Sequence, residues 1–335
     1  MNIIIPMAGM GKRMRPHTLT TAKPLIPIAG KPIVQRLVED IIATSNEKVE
    51  EIAFIIGPGF GKAVEDHLVK VANDLGATGK IYYQYEALGT AHAILAAQEA
   101  LKGNVFIAFA DTLFKATFSI DKNKDAIVWT QKVEDPSAFG VVKLNEQNEI
   151  TAFVEKPTEF VSDLAIIGVY YFKDGENLRQ ELQRLLDNDI KQKGEYQITD
   201  AMDHMLNNGL KFYTDQVEEW LDCGNKDATV YTNTRILDIK KDKEQLVSDS
   251  AKIENSTIIA PCFIGENVVV KNSVIGPNVS LEEGVMLENC RISNTIVQAQ
   301  SIVKNMVLNN SLIGKNVNYS ENPRELSLGD FSTQS

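Results

Sequence analysis

Over the first third of the chain, short unbroken apolar runs alternate with stretches whose apolar residues recur every three or four positions. Residues 2–7 form such a run around Ile3, Ile4 and Ile5, whereas 32–43 set Val34, Leu37, Val38, Ile41 and Ile42 on one helical face. The pattern goes on through a strand at 52–56, a helix marked by Val64, Leu68, Val71 and Leu75, and a strand at 80–84. An Ala-rich helix over 90–101 and a buried strand over 105–110, ending at Asp111, complete it. Runs without polar alternation belong to strands covered on both faces, so an α/β fold with a mostly parallel sheet between helical layers is predicted. Ligands of such sheets sit beyond the carboxyl ends of strands, where the loop after residue 7 and Asp111 both fall.

From about 125 the pattern turns to strands and hairpins at 126–131, Gly140–Leu144, 150–154 and 165–172. Helices follow near 175–188, 197–207 and 225–241. Beyond 250 a repeat emerges: Glu254-Asn-Ser-Thr-Ile, Lys271-Asn-Ser-Val-Ile, Glu288-Asn-Cys-Arg-Ile and Lys304-Asn-Met-Val-Leu start 17, 17 and 16 residues apart. Aliphatic residues recur at 253, 259, 264, 270, 275, 281, 287, 292, 297, 303, 308 and 313, every five or six positions. That is an imperfect hexapeptide repeat, and it predicts a parallel β-helix with one aliphatic side chain per face directed to the axis. The expected organisation is an α/β domain over 1–240, the β-helix over 250–320 and a polar tail over 321–335.

A length of 335 residues at 44% hydrophobic composition supports a large core and two domains. The net charge of −11 excludes an extended nucleic-acid surface and makes any basic cluster a local feature. Three cysteines, Cys223, Cys262 and Cys290, are widely spaced and odd in number, as expected of reduced thiols. No stretch reaches 18 apolar residues and the N-terminal run lacks the layout of a signal peptide, so a cytoplasmic protein without membrane partner is expected.

The most informative chemistry lies in residues 8–33, where Ala8, Gly9 and Gly11 open a small-residue loop followed by Lys12, Arg13, Arg15 and Lys23. Glycines let backbone N–H groups converge on an anion, and the cations supply charge that the backbone lacks. It is not a P-loop, since Arg13 follows Gly11-Lys12 where Ser or Thr is needed, and Met14 replaces the third glycine of a dinucleotide fingerprint. The whole stretch reads G-x-G-x-R-x-x-P-x-T and then K-P-L-x-P-x-x-x-K-P, which resembles the signature of sugar-phosphate nucleotidylyltransferases.

The resemblance implies a Rossmann-like (GT-A-like) mixed sheet with helices on both faces and a C-terminal left-handed β-helix. It further implies an enzyme that joins a nucleoside triphosphate to a sugar 1-phosphate with Mg²⁺ as cofactor. Asp111, at the end of an apolar strand, and Asp222, in Trp220-Leu-Asp-Cys-Gly, match the family's metal carboxylates, although Ala110 stands where a glycine is usual. Glu155-Lys156-Pro157 matches the pair that holds the sugar and its phosphate, with Gly140 admitting the pyranose to the backbone. In Gly194-Glu-Tyr-Gln-Ile-Thr-Asp200, Thr199 would line the sugar pocket; Lys193 before it would assist the phosphate, without the fork of the Arg that thymidylyltransferases carry there. Gln84 would read the polar edge of uracil or thymine, with Gly89 leaving room for the ring. His92 reads as a helix residue.

A phosphate oxygen of the sugar 1-phosphate would attack the α-phosphorus in line, with Arg13, Lys23 and Lys156 as the catalytic cations that offset repulsion between two anions. Gln84 tilts the base toward dTTP or UTP, and glucose 1-phosphate is the family's default sugar. Mannose-1-phosphate guanylyl transfer and ADP-glucose-type adenylyl transfer remain as alternatives, as does, in another functional class, a non-catalytic regulatory or scaffolding homologue. Acyl transfer by the β-helix lacks a base, because His17, His67, His92 and His204 all precede residue 250. A homo-oligomer is expected.

Overall fold

The computed structural model describes residues 1–335 apart from 10, 46, 117–119, 323, 324, 326, 328 and 333–335. Part of the expected polar tail thus lies outside the described residues. Two compact units result: 1–26 with 31–225, and 27–30 with 226–335.

The strands up to residue 225 are β1 (Asn2–Pro6), the two-residue β2 (Pro27–Ile28) and β3 (Lys31–Pro32), β4 (Glu51–Ile56), β5 (Thr78–Tyr83), β6 (Val105–Ala108) and β7 (Thr112–Lys115). They continue as β8 (Ala126–Lys132), β9 (Gly140–Leu144), β10 (Ile150–Glu155), β11 (Leu164–Phe172), β12 (Phe212–Gln216) and β13 (Glu219–Asp222). The helices are α1 (Ile33–Thr44), α2 (Lys62–Asp74), α3 (Thr90–Leu95), α4 (Gly175–Asp187), α5 (Ile198–Asn207) and α6 (Lys226–Lys240).

The main sheet of the first unit runs β10-β9-β11-β6-β1-β4-β5, with β8 on β11 and β12 on β8. β1, β4, β5 and β6 are parallel, while β11 runs antiparallel to β6. The result is a mixed sheet, as expected of the family fold. Ile4, Ile55 and Ile107 pack with Ile94 of α3, Leu182 of α4 and Met202 of α5 in one core, and Ile3, Ile5, Phe54 and Phe106 on the alternate face are fully buried too. Burial on both faces is why these strands read as unbroken apolar runs. The helix expected over 90–101 stops at Leu95 and resumes as a 3₁₀ turn over Gln98–Ala100.

In the second unit, short strands pair in parallel at steps of one coil: Lys252↔Val269, Val269↔Met286, Met286↔Ile302 and Ile302↔Asn318. This is a parallel β-helix. Ile264, Val270, Ile275, Leu281, Leu287, Ile292, Val297 and Val303 fill its axis. The first coil departs from the expected pattern: Ile253 keeps register with Val270 but is 40% exposed, and Ile259 is 43% exposed, with Ile258 packing inward in its place. The asparagines of the repeat turn its corners in the left-handed region, Asn255 at φ 46, Asn272 at 48, Asn289 at 54 and Asn305 at 56. Asn tolerates that conformation, and its amide bonds to the next coil, as from Asn255 Nδ2 to Asn272 Oδ1 at 2.8 Å.

By its contacts helix α6 groups with the coils, the second compact unit starting again at Lys226. Its buried Asn233 Oδ1 accepts from Ala29 N at 2.9 Å and from Ser280 Oγ at 2.7 Å. Pro27–Gly30 therefore belongs with this unit, and Gly30 (φ 87) leaves the place where a Cβ would stand 2.3 Å from the Phe263 ring.

Candidate active site

Parallel pairing of Ile4 with Ile107 brings the loops after β1 and β6 out side by side, and Ala110 N donates to Pro6 O at 3.3 Å. Gly11 adopts φ 57 ahead of a 3₁₀ turn over Lys12–Met14. A Cβ there would stand 2.9 Å from Lys23 Cβ and 3.1 Å from Thr18 Cγ2, and Thr18 Oγ1 donates to Gly11 O at 2.7 Å. The glycine thus lets the loop close onto the segment that carries Lys23. Ala8, Gly9, Gly11, Gln84 and Gly89 all line one cavity of about 420 Å³, with Arg13, Lys23 and Asp111.

The two acidic residues come together through an antiparallel pair, β7 with β13, in which Thr112 faces Asp222 and Cys223 N donates to Asp111 O at 3.0 Å. Lys23 Nζ lies 2.7 Å from Asp111 Oδ2. Burial pushes the Asp222 carboxyl above the usual carboxylate range and the Asp111 charge adds to it, while the Gly224 N–H, Lys23 and Arg13 pull it back. A Cβ on Gly224 would stand 2.8 Å from Asp222 Oδ2 and 3.2 Å from Arg13 Nη2. Residues 13, 23, 111 and 222 therefore share one small volume. Among the described residues no three His, Cys, Asp or Glu side chains form a metal cluster. Two carboxylates fit Mg²⁺, which takes one or two such ligands and fills its shell with phosphate and water.

A second group lies at the β9–β10 hairpin, where Glu155 faces Gly140. A Cβ on Gly140 would stand 3.0 Å from Glu155 Oε2 and 3.7 Å from Thr199 Cγ2, so the missing side chain lets both approach the strand. Thr199, in the first turn of α5, has a buried Oγ1 with no partner among the described residues. Lys156 turns into the left-handed region (φ 44), donates its N–H to Phe139 O and holds Nζ 3.6 Å from Glu155 Oε1. Lys193 is exposed at a two-residue turn, φ 51 followed by Gly194 at φ 85, closed by the Gln192–Glu195 bonds, and Gln192 beside it donates from Nε2 to Asp200 Oδ1. No described contact ties Lys193 to Glu155 or Thr199.

The reason for Gly89 also differs from expectation. At φ 114, a Cβ there would meet Tyr196 O at 2.4 Å and Tyr196 N at 2.7 Å, so the backbone of the 195–198 segment, before any ring in the cavity, demands a glycine. Glu195, Gly224 and Phe109 also line the cavity and were not singled out in the sequence. The first two lie inside the motifs around Thr199 and Asp222, whereas Phe109 is one more apolar residue at a strand end.

A nucleotidyl transferase family model matches residues 2–239. The chain is 28% identical over 325 residues to a glucose-1-phosphate thymidylyltransferase of Streptomyces antibioticus, covering 90% of this chain and 88% of that protein. Over 284 residues it is 31% identical to the bifunctional protein GlmU of Methanococcus maripaludis, covering 83% of this chain but 62% of GlmU, under two thirds of that relative. A solved UDP-glucose pyrophosphorylase complexed with UDP-glucose shares the fold at a TM-score of 0.58 and 22% identity, covering 71% of this chain and 98% of that one. A putative glucose-1-phosphate thymidylyltransferase of Bacillus anthracis does so at 0.57 and 23%, covering 70% and 94%.

Proposed function

Since the chain belongs to the nucleotidyl transferase family, we propose that it transfers a nucleotidyl group from a pyrimidine nucleoside triphosphate, dTTP or UTP, to a sugar 1-phosphate, glucose 1-phosphate foremost. Products are the nucleoside diphosphate sugar and pyrophosphate. The observation that carries this reading is that Arg13, Lys23 and Asp111 line the same 420 Å³ cavity as Gly9, Gly11, Gln84 and Gly89, with Asp222 beside them next to Gly224.

The acceptor phosphate is already anionic at neutral pH, so no protein nucleophile or general base is needed. At 4 Å two unit charges repel by roughly 4 kcal/mol at an effective dielectric near 20, and bringing two anions together is the protein's main task. The loop N–H groups and Arg13 would hold the triphosphate, and Lys23 with Lys156 would neutralise the attacking phosphate. Asp111 and Asp222 would hold Mg²⁺, which when bound screens charge on the phosphates. Glu155 and Thr199, beside Gly140, would accept from and orient sugar hydroxyls. Lys193, exposed at its turn, would assist the sugar phosphate.

We read the protein as a cytoplasmic homo-oligomer. Among the described residues no helix is long and apolar enough to cross a membrane. The exposed Val274, Met286 and Val307 on the coils support association of copies. Release of pyrophosphate from five nucleoside triphosphates against glucose, mannose, galactose and N-acetylglucosamine 1-phosphates, with Mg²⁺, tests the reading. No pyrophosphate with any pair refutes the reaction, and a clear preference for ATP or GTP refutes the base assignment.

A further inference from the structure

Gln84 Nε2 donates to Gly89 O at 3.3 Å and lies 3.1 Å from His92 Nδ1. A carbonyl oxygen can only accept, so the contact to Gly89 fixes which end of the amide is nitrogen. Gly89 O is itself held in place: it accepts from Ala93 N at 3.1 Å in the first turn of α3, and the Tyr196 backbone allows no side chain at residue 89. The second proton of Nε2 then points to His92 Nδ1, which must accept it, and the neutral ring carries its proton on Nε2. Both amide protons are thereby used inside the protein. Oε1 has no donor among the described residues, and Gln84 lines the cavity.

We propose that His92 is a positioning residue that sets base selectivity: by accepting from Gln84 it locks the amide so that only an acceptor, Oε1, meets the base. This rests on the nucleotidyl transfer read above and deepens it. A locked acceptor pairs with the N3–H of uracil or thymine. It opposes N3 of cytosine, which is a lone pair, and a buried mismatch of that kind is costly. An amide free to rotate would offer its NH₂ to cytosine equally well. His92 also borders an open hollow of about 440 Å³ with Tyr83 and Tyr85, so trimming its ring removes little core packing.

The test compares kcat and KM for UTP and CTP in the wild type, His92→Ala and His92→Asn, with glucose 1-phosphate as acceptor. The wild type is expected to favour UTP, and His92→Ala to lower the UTP/CTP ratio of kcat/KM by about tenfold or more through KM, with kcat for UTP within about threefold. His92→Asn, whose Oδ1 stands close to where Nδ1 stood, is expected to restore the ratio. A ratio unchanged in His92→Ala, or an Asn variant as unselective as Ala, overturns the proposal while leaving the reaction intact. A wild type that releases no pyrophosphate, or prefers CTP or a purine, overturns the underlying reading first.

Discussion

Replacing Lys23 by Met keeps the length of the side chain and removes its charge. Lys23 is 11% exposed and Asp111 41% exposed in their 2.7 Å pair, so the attraction is about 6 kcal/mol at an effective dielectric near 20 before desolvation is subtracted. Removing the ammonium also removes the several kcal/mol spent on burying it, and Asp111, well exposed, is rehydrated. These terms nearly cancel, so unfolding free energy in urea should change by no more than about 1 kcal/mol. Under the proposed mechanism catalysis has no such compensation, because the attacking phosphate would lose a preorganised countercharge. A fall in kcat of on the order of 10²-fold or more, about 3 kcal/mol, is expected. The assay is steady-state pyrophosphate release at saturating substrates beside urea melts of the same preparations. A kcat within tenfold of wild type, or a loss of stability above about 3 kcal/mol, would show that Lys23 is a structural counterion and refute the reasoning.

Arg13→Ala should lower kcat by about 10²-fold or more, and an unchanged kcat at saturation removes Arg13 from the mechanism. Gly89→Ala puts a Cβ 2.4 Å from Tyr196 O at φ 114 and endangers the Ala91 N to Tyr196 O and Tyr196 N to Leu88 O bonds, at 3.0 and 2.8 Å. Strain and lost bonds together should cost about 3–5 kcal/mol in urea unfolding, and a loss under about 1 kcal/mol would contradict the geometry. Asp200 has its carboxyl raised by burial first and by Glu155 and Asp203 next. Its folded form holds a proton more tightly than the unfolded chain, so stability is lost as pH rises through the window above the ordinary Asp value. Asp200→Asn should match wild type near pH 3 and melt higher near pH 7; equal melting at both would argue against that shift.

Much of this architecture was legible because burial leaves a direct trace in residue order. β1, β4 and β6 are covered on both faces, and the corners of the β-helix require small amide residues at coil spacing. Asp111 and Asp222 were visible as carboxylates ending apolar runs, but their meeting depends on β7 pairing with β13, and Thr112–Lys115 is too short to show a period. Helix α3 ends early with no Gly or Pro to mark it, since Ala-rich sequence suits either an α-helix or a 3₁₀ turn. In the first coil the 17-residue repeat itself aligns Ile258 with Ile275 and Ile292, so the inward residue was legible there, and counting every five or six positions picked its neighbour Ile259 instead. Membership of α6 in the second unit was hidden, because its anchor is polar: one buried asparagine shared by residues far apart in sequence.

That anchor makes the C-terminal coils a poor cassette. Exchanging them between relatives at residue 226 would leave behind a tetrapeptide, 27–30, that grew up with Phe263 and Asn233 as its matched neighbours. Because the tetrapeptide sits between Lys23 and Lys31 in the K-P-L-x-P-x-x-x-K-P motif, recombination has to carry a fragment of that motif along or accept a misfit beside it. The two units are in this sense inherited as a pair.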